Sequence, residues 1–219
     1  MMLDFLKILP SVPFILEGVL VTLQYTLLSL FLGFLWGGAL GLMKVSHCRF
    51  LDIFARIYTS IFRGTPLLVQ LSLAYYAIPQ LTGYQITAFE AGVLAFSLNS
   101  GAYVSEHIRT GILSVDRGQF EAAASLGISY FSTMKDIILP QAIKNILPSL
   151  VNESIDLLKE SALVSTIGEM DLLRRANVVA AEKYIYFEPL LMVAAVYYVM
   201  VMVLSHFAKV LEIRLRRSD

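Results

Sequence analysis

This sequence predicts an all-α fold: a polytopic membrane protein of about five transmembrane helices, with one short cytoplasmic helix in a loop. Two observations carry that prediction. Of the 219 residues 57% are hydrophobic and only 16% charged, and the mean hydropathy is +0.70, far from the balance of a soluble domain. In addition, three runs hold no Asp, Glu, Lys or Arg over bilayer-spanning lengths: 18–43, 64–89 and 189–208. A helix needs roughly 20 apolar residues to cross the hydrocarbon. Lipid offers the backbone no partners, so such runs must satisfy their own hydrogen bonds as helices.

In chain order, the first span is 18–43, bounded by Glu17 and Lys44. Asp4 precedes Lys7, so the N-terminus lacks the basic region of a cleaved signal peptide and the span is expected to be retained. Residues 50–62 alternate apolar and charged at helical spacing and read as an interfacial helix leading into the second span, 64–82. The third span, 88–112, ends with Glu106 and Arg109 three apart, close enough to pair on one face. The fourth, 149–168, is the most polar, and the fifth is 189–211. With no Gly/Ser linker, low-complexity tract or repeat, one membrane domain accounts for residues 1–219.

Lys and Arg in the loops set the orientation. Twelve fall on one side: Lys44, Arg49, Arg56 and Arg63; Arg109, Arg117, Lys135 and Lys144; Lys209, Arg214, Arg216 and Arg217. The other side holds four: Lys7, Arg174, Arg175 and Lys183. The C-terminus and the long 113–148 loop are therefore expected in the cytoplasm and the N-terminus outside. Lys+Arg and Asp+Glu both number 17, which excludes a basic nucleic-acid footprint. The single Cys48 excludes an internal disulfide and reads as a small apolar filler. His47, His107 and His206 lie too far apart in sequence for a metal-ligand cluster and read as interfacial or buried side chains. No Gly-x-x-x-x-Gly-Lys-Ser/Thr occurs, so no nucleotide phosphate is expected to bind this chain.

Two segments carry chemistry. In the long loop, Asp116 can N-cap a short helix, with Gln119 in the capping-box position, and Gly127 suits a left-handed C-terminal cap. Two turns are too short to be stable alone and need a partner surface; Ala122, Ala123 and Ala124 make one side smooth enough for another protein to approach. On composition alone a capped helix lying along the membrane is the favoured reading. In the fourth span, Asn152, Glu153, Asp156, Lys159 and Glu160 fall within about 120° of a helical wheel. Val151, Ile155, Leu158 and Ala162 lie opposite, while Ser154, Ser161 and Ser165 form a stripe suited to close packing. Charges in a membrane are costly, so the polar arc should face water or a cavity. It could be a substrate site, with Lys159 holding an α-carboxylate and the carboxylates an α-ammonium or cationic side chain. It could equally be an internal Lys159–Asp156 ion pair.

Glu121-Ala122-Ala123, Gly127, then Ile137, Leu139 and Pro140 resembles, in spacing throughout, the EAA motif of ABC importer permeases. Arg63-Gly64-Thr65-Pro66, Ser100-Gly101-Ala102-Tyr103 with Glu106 and Arg109, and Leu158-Lys159 with Ser161-Ala162-Leu163 resemble the polar amino-acid permeases of the histidine/glutamine/arginine type. Ala162 departs from a position more often Ser or Thr. The resemblance covers about residues 15–215.

It implies a permease subunit of an ATP-driven importer in the cytoplasmic (inner) membrane, moving a polar amino acid inward; the polar arc, with three carboxylates against one ammonium, carries a formal −2 and points to a basic one. Residues 117–127 would be the coupling helix, with Glu121, Ala122, Ala123 and Gly127 meeting the ATPase. The implied partners are cytoplasmic ATPase subunits, a second permease (identical or not), an extracytoplasmic amino-acid-binding protein, and lipid. The chain itself would be no enzyme and hold no cofactor, ATP and Mg belonging to the ATPase. Lys159 and Ser161 fall in the region the family associates with the amino acid. Glu106 and Glu160, ionisable groups within spans, support an alternative, an ion-coupled secondary transporter or channel subunit; a non-transporting scaffold is the third reading.

Overall fold

The computed structural model describes residues 5–46 and 48–216, without the side chains of 211, 212 and 214–216. Asp4, His47 and Arg217, and the side chains of Arg214 and Arg216, used in the arguments above, lie outside that description. Among the described residues eight helices follow one another: α1 Val12–Val45, α2 Arg49–Gly64, α3 over 67–82, α4 Ala88–Leu113, α5 Arg117–Ser125, α6 over 130–160, α7 Leu172–Lys183 and α8 Phe187–Arg216. α1, α3, α4 and α8 coincide with four of the five expected spans, α2 with the interfacial helix and α5 with the loop helix, while α6 shares only 149–160 with the expected span 149–168. By length and composition, α1 (from Leu9) and α8 (to Val210) are the two described helices apolar enough to cross a membrane unaided. Of the helices between them, α2, α4 and α6 turn polar side chains toward a shared cavity.

Two expectations are corrected. Most of the presumed 113–148 loop is helix, because α6 begins at Tyr130 rather than at 149. Pro140 and Pro148 do not break it. A stretch of wider π-helical turns, Thr133–Ile138, directly precedes Leu139 and Pro140, and such turns absorb the missing N–H and the ring's bulk. The same device, Leu73–Ala77, stands before Pro79 in α3. The second correction is α7, which falls in a segment expected to be a loop. Asp171 caps it, accepting from the backbone N–H of Leu173 and Arg174. Leu172, Ala176, Val179 and Ala180 form its buried stripe. They pack with Ile8, Ile15 and Val193 between α1 and α8.

The central seam joins α1 to α4. Gly33, Gly37 and Gly41 recur every fourth residue on α1, facing Ser97, Ser100, Gly101, Val104 and Ile108 of α4. A Cβ on Gly37 would lie 2.6 Å from that of Val104, so only glycine permits this approach. The close contact carries the C-terminal end of α1, with Lys44, against the last turns of α4.

Candidate functional site

A cavity of about 680 Å³ opens between α2, α4 and α6, within the usual range for small-molecule sites of about 300–1,000 Å³. One wall is the polar arc of α6: Asn152, Glu153, Asp156, Lys159 and Glu160 all line it. The opposite wall brings Arg63 from α2 and Asn99, Tyr103 and His107 from α4. Ser161 is not part of it. Beyond Glu160 the helix tightens to 3₁₀ turns over Ser161–Ile167, which ends the 100° wheel. Ser161 is fully buried and its hydroxyl donates to the Leu158 carbonyl at 2.7 Å.

On the α6 wall, Lys159 Nζ is 2.7 Å from Asp156 Oδ1, so the expected intrahelical ion pair forms, although both side chains remain more than half exposed. Glu153 faces His107 at 3.9 Å. The Glu160 side chain makes no hydrogen bond or ion pair among the described residues and stands exposed at the cavity.

The other wall was not anticipated. Lys44 Nζ contacts Glu106 Oε1 at 2.5 Å and Ser105 Oγ at 2.9 Å, with the Lys44 side chain fully buried. Arg109 donates to Glu106 Oε2 from both Nε (3.0 Å) and Nη2 (2.9 Å), so the expected Glu106–Arg109 pair forms. Arg63 reaches the same Oε2 at 3.9 Å and lies over the Tyr103 ring, 5.1 Å from its centroid. Lys44, Arg63 and Arg109 are thus helix residues converging on one carboxylate rather than loop cations. Removing them from the orientation count leaves nine against four, the same sense.

Local sequence explains where Arg63 sits. Gly64-Thr65-Pro66 breaks the chain between α2 and α3, leaving α2's last carbonyls without helical partners. Asn99 Nδ2 and Gln70 Nε2 donate to the Phe62 carbonyl at 3.1 and 2.8 Å, and Asn99 also donates to Gln70 Oε1 at 3.0 Å. Buried Asn99 therefore clamps the residue before Arg63 at the cavity edge. The sequence held the motif Arg63-Gly64-Thr65-Pro66 but no periodicity pairing it with α4.

The second feature is α5. Asp116 caps it by accepting from Gly118 N–H at 2.6 Å; Gln119 makes no reciprocal bond to it among the described residues. Gly127 closes the other end at φ +70°, with Gly127 N–H on the Ala124 carbonyl and Ile128 N–H on that of Ala123, the paired bonds of a Schellman cap. Ala123 is buried, and Phe120 packs on the cluster of Ile112, Val115, Ile138, Ala142 and Ile146. Glu121, Ala122, Ala124 and Ser125 are exposed together with Leu126. The helix is thus anchored on one side and bare on the other.

Residues 29–217 match the family model of the inner membrane component of binding-protein-dependent transport systems. The chain belongs to this family. The putative glutamine transport system permease protein GlnP of Rickettsia felis is 55% identical over 207 residues, 94% of this chain and 95% of the relative. The arginine transport system permease protein ArtQ of Bacillus subtilis is 49% identical over 219 residues, covering 100% of both. A crystal structure of an amino acid ABC transporter with histidines matches with a TM-score of 0.93 at 47% identity, over 98% of this chain and 100% of that one. Two inward-facing methionine transporter structures, at 19% and 17% identity and TM-scores of 0.78, share the fold.

Proposed function

We infer that this chain is the membrane permease subunit of an ATP-binding-cassette importer that moves a polar, basic amino acid into the cytoplasm. Family membership supports the class. The observation that carries the substrate is the cavity, where three carboxylates on α6 face a lone Arg63 across 680 Å³. Counting Lys159, its lining side chains sum to a formal −1 with His107 neutral. In a low-dielectric site that excess favours a ligand bringing one net positive charge. The sequence alone suggested −2; Arg63 halves the imbalance without reversing it. A neutral amide is the second reading, favoured by the identity to the glutamine-named relative.

In this reading the residues 117–127 form the coupling helix. Its bare face, with Glu121, Ala122 and the turn at Gly127, docks on a cytoplasmic ATPase subunit that binds the ATP and Mg; this chain hydrolyses nothing. A second permease copy or homologue and an extracytoplasmic amino-acid-binding protein complete the assembly. The N-terminus lies outside and the C-terminus inside. Exposed Cys48 then resists an impermeant thiol reagent on intact cells, whereas Gly83→Cys is labelled.

The direct test is uptake into proteoliposomes holding the chain with its ATPase and binding protein. ATP-dependent accumulation of arginine, lysine or histidine ahead of glutamine is expected; glutamine ahead of all three overturns the substrate, and ATP-independent uptake overturns the class. Glu121→Arg and Gly127→Asp should each abolish uptake in chains that still insert and fold, Gly127 because its positive φ strains any side chain.

A further inference from the structure

We propose that Arg63, held by the Lys44–Glu106–Arg109 cluster, is the residue that receives the α-carboxylate of the transported amino acid, and that Lys159 is not. The inference rests on the reading of the cavity as an amino-acid site and adds which end of the ligand meets which wall.

The cluster is oversupplied with cations. Lys44, Arg63 and Arg109 share Glu106, the one carboxylate with which any of them forms an ion pair among the described residues. Within the cluster the balance is +2, of which Arg63, already counted against the α6 carboxylates, brings one; at its end of the cavity a ligand's anionic group meets a cation. Lys44 and Arg109 cannot be that cation. Lys44 is buried and engaged by both Glu106 and Ser105, and Arg109 holds Glu106 through two nitrogens. Arg63 has the longest contact of the three, 3.9 Å, and its side chain is 44% exposed. It is also the only member of the cluster that lines the cavity. Its guanidinium rests on Tyr103, and its backbone is fixed through Phe62 by Asn99 and Gln70. A planar fork positioned in this way suits bidentate binding of a carboxylate.

Lys159 is placed otherwise. It stands among Glu153, Asp156 and Glu160 on α6 and already pairs with Asp156 at 2.7 Å. A ligand carboxylate there would have to approach three others. The same carboxylates suit the ligand's ammonium or cationic side chain, so the two walls fix one orientation across the cavity.

The test measures binding to the purified permease–ATPase complex without the binding protein, so that only this cavity selects. Labelled arginine is displaced by unlabelled arginine or by agmatine, its decarboxylated counterpart. In the wild type arginine should compete at least about tenfold better, the worth of a hydrogen-bonded charge pair. Arg63→Gln should bring that ratio close to one by weakening arginine alone. Arg63→Lys should keep part of it, and Lys159→Gln should leave it at the wild-type value. An unchanged ratio in Arg63→Gln overturns the assignment, as does a collapse in Lys159→Gln; if Arg63→Gln does not fold, a ratio in Arg63→Lys identical to wild type overturns it. No arginine binding by the wild-type complex contradicts instead the reading of the cavity as an amino-acid site.

Discussion

The two walls of the cavity are built in different ways. The carboxylate wall comes from a single helix: Asn152, Glu153, Asp156, Lys159 and Glu160 share one face of α6 and make few contacts with other elements. The cation wall presents Arg63 of α2 to the cavity, backed by a cluster outside it on two more helices, with Lys44 on α1 and Glu106 and Arg109 on α4. Partners there are up to 62 residues apart in sequence. The difference separates two kinds of polar group in this permease. On α6, Asn152, Asp156, Lys159 and Glu160 are exposed and free to answer to a ligand, while Glu153, its side chain 10% exposed, faces His107. In the Glu106 cluster Lys44 is buried and one carboxylate ties three helices together, so it contributes to the fold as well as to the site.

If that contrast is right, the two walls respond differently to mutation. Glu106→Gln should have the largest effect, because it strands three cations; breaking a buried pair costs about 3–5 kcal/mol. The purified protein should show a clear drop in Tm in detergent, and an unchanged Tm would mean the cluster adds nothing to stability. Gly37→Leu comes next. It forces α1 away from Val104 and takes Lys44 with it, an overpacking cost of about 1–3 kcal/mol. Here Tm should fall less than for Glu106→Gln, and a larger fall would shift the weight from the charges to the helix seam. Lys159→Met should change Tm little, since an exposed ion pair is worth within about 1 kcal/mol. A loss as large as that of Glu106→Gln would erase the distinction between the walls.

A buried carboxylate outside the cavity sharpens the comparison at the small end. Asp171, between α6 and α7, is fully buried, and burial pushes its carboxyl up to about 6, above its ordinary value, against the lowering pull of the backbone N–H bonds. With the folded pKa above the unfolded one, the folded chain holds the proton longer. The contribution of Asp171 to stability is therefore greatest below about pH 4 and declines as pH rises to about 6. Subtracting the Tm of Asp171→Asn from that of the wild type, between pH 4 and 7, should show a difference that falls with rising pH. A difference that rises instead would mean that the N–H bonds outweigh burial.

The same contrast explains what could be read from the sequence. The α6 arc was legible because helical periodicity alone puts those five residues together, and α5 because Asp116 and Gly127 mark its ends chemically. The cation wall was not legible, since its members meet only through the α1–α4 glycine seam and the Asn99 clamp. Their positive charges had been counted as loop cations. Ser161 entered the site only through the family resemblance; the wheel had put it in a packing stripe, and its full burial agrees with that stripe. α7 did carry a signal, a capping Asp171 with apolar residues at 172, 176, 179 and 180, but four flanking charges (Arg174, Arg175, Glu182 and Lys183) gave it the look of a loop. The early start of α6 was hidden by Pro140, whose effect is absorbed by the π turns before it.

The central claim is that the carboxylates of α6 select a cationic amino acid for import. It is tested most directly by ATP-driven arginine uptake through the assembled complex in proteoliposomes, comparing wild type with Glu153→Gln and Glu160→Gln combined, at matched levels of complex. The account predicts that the double variant loses at least about tenfold of its arginine uptake, two charged hydrogen-bond partners having been neutralised. Arginine uptake that survives both neutralisations together would contradict it and leave these carboxylates a structural role alone.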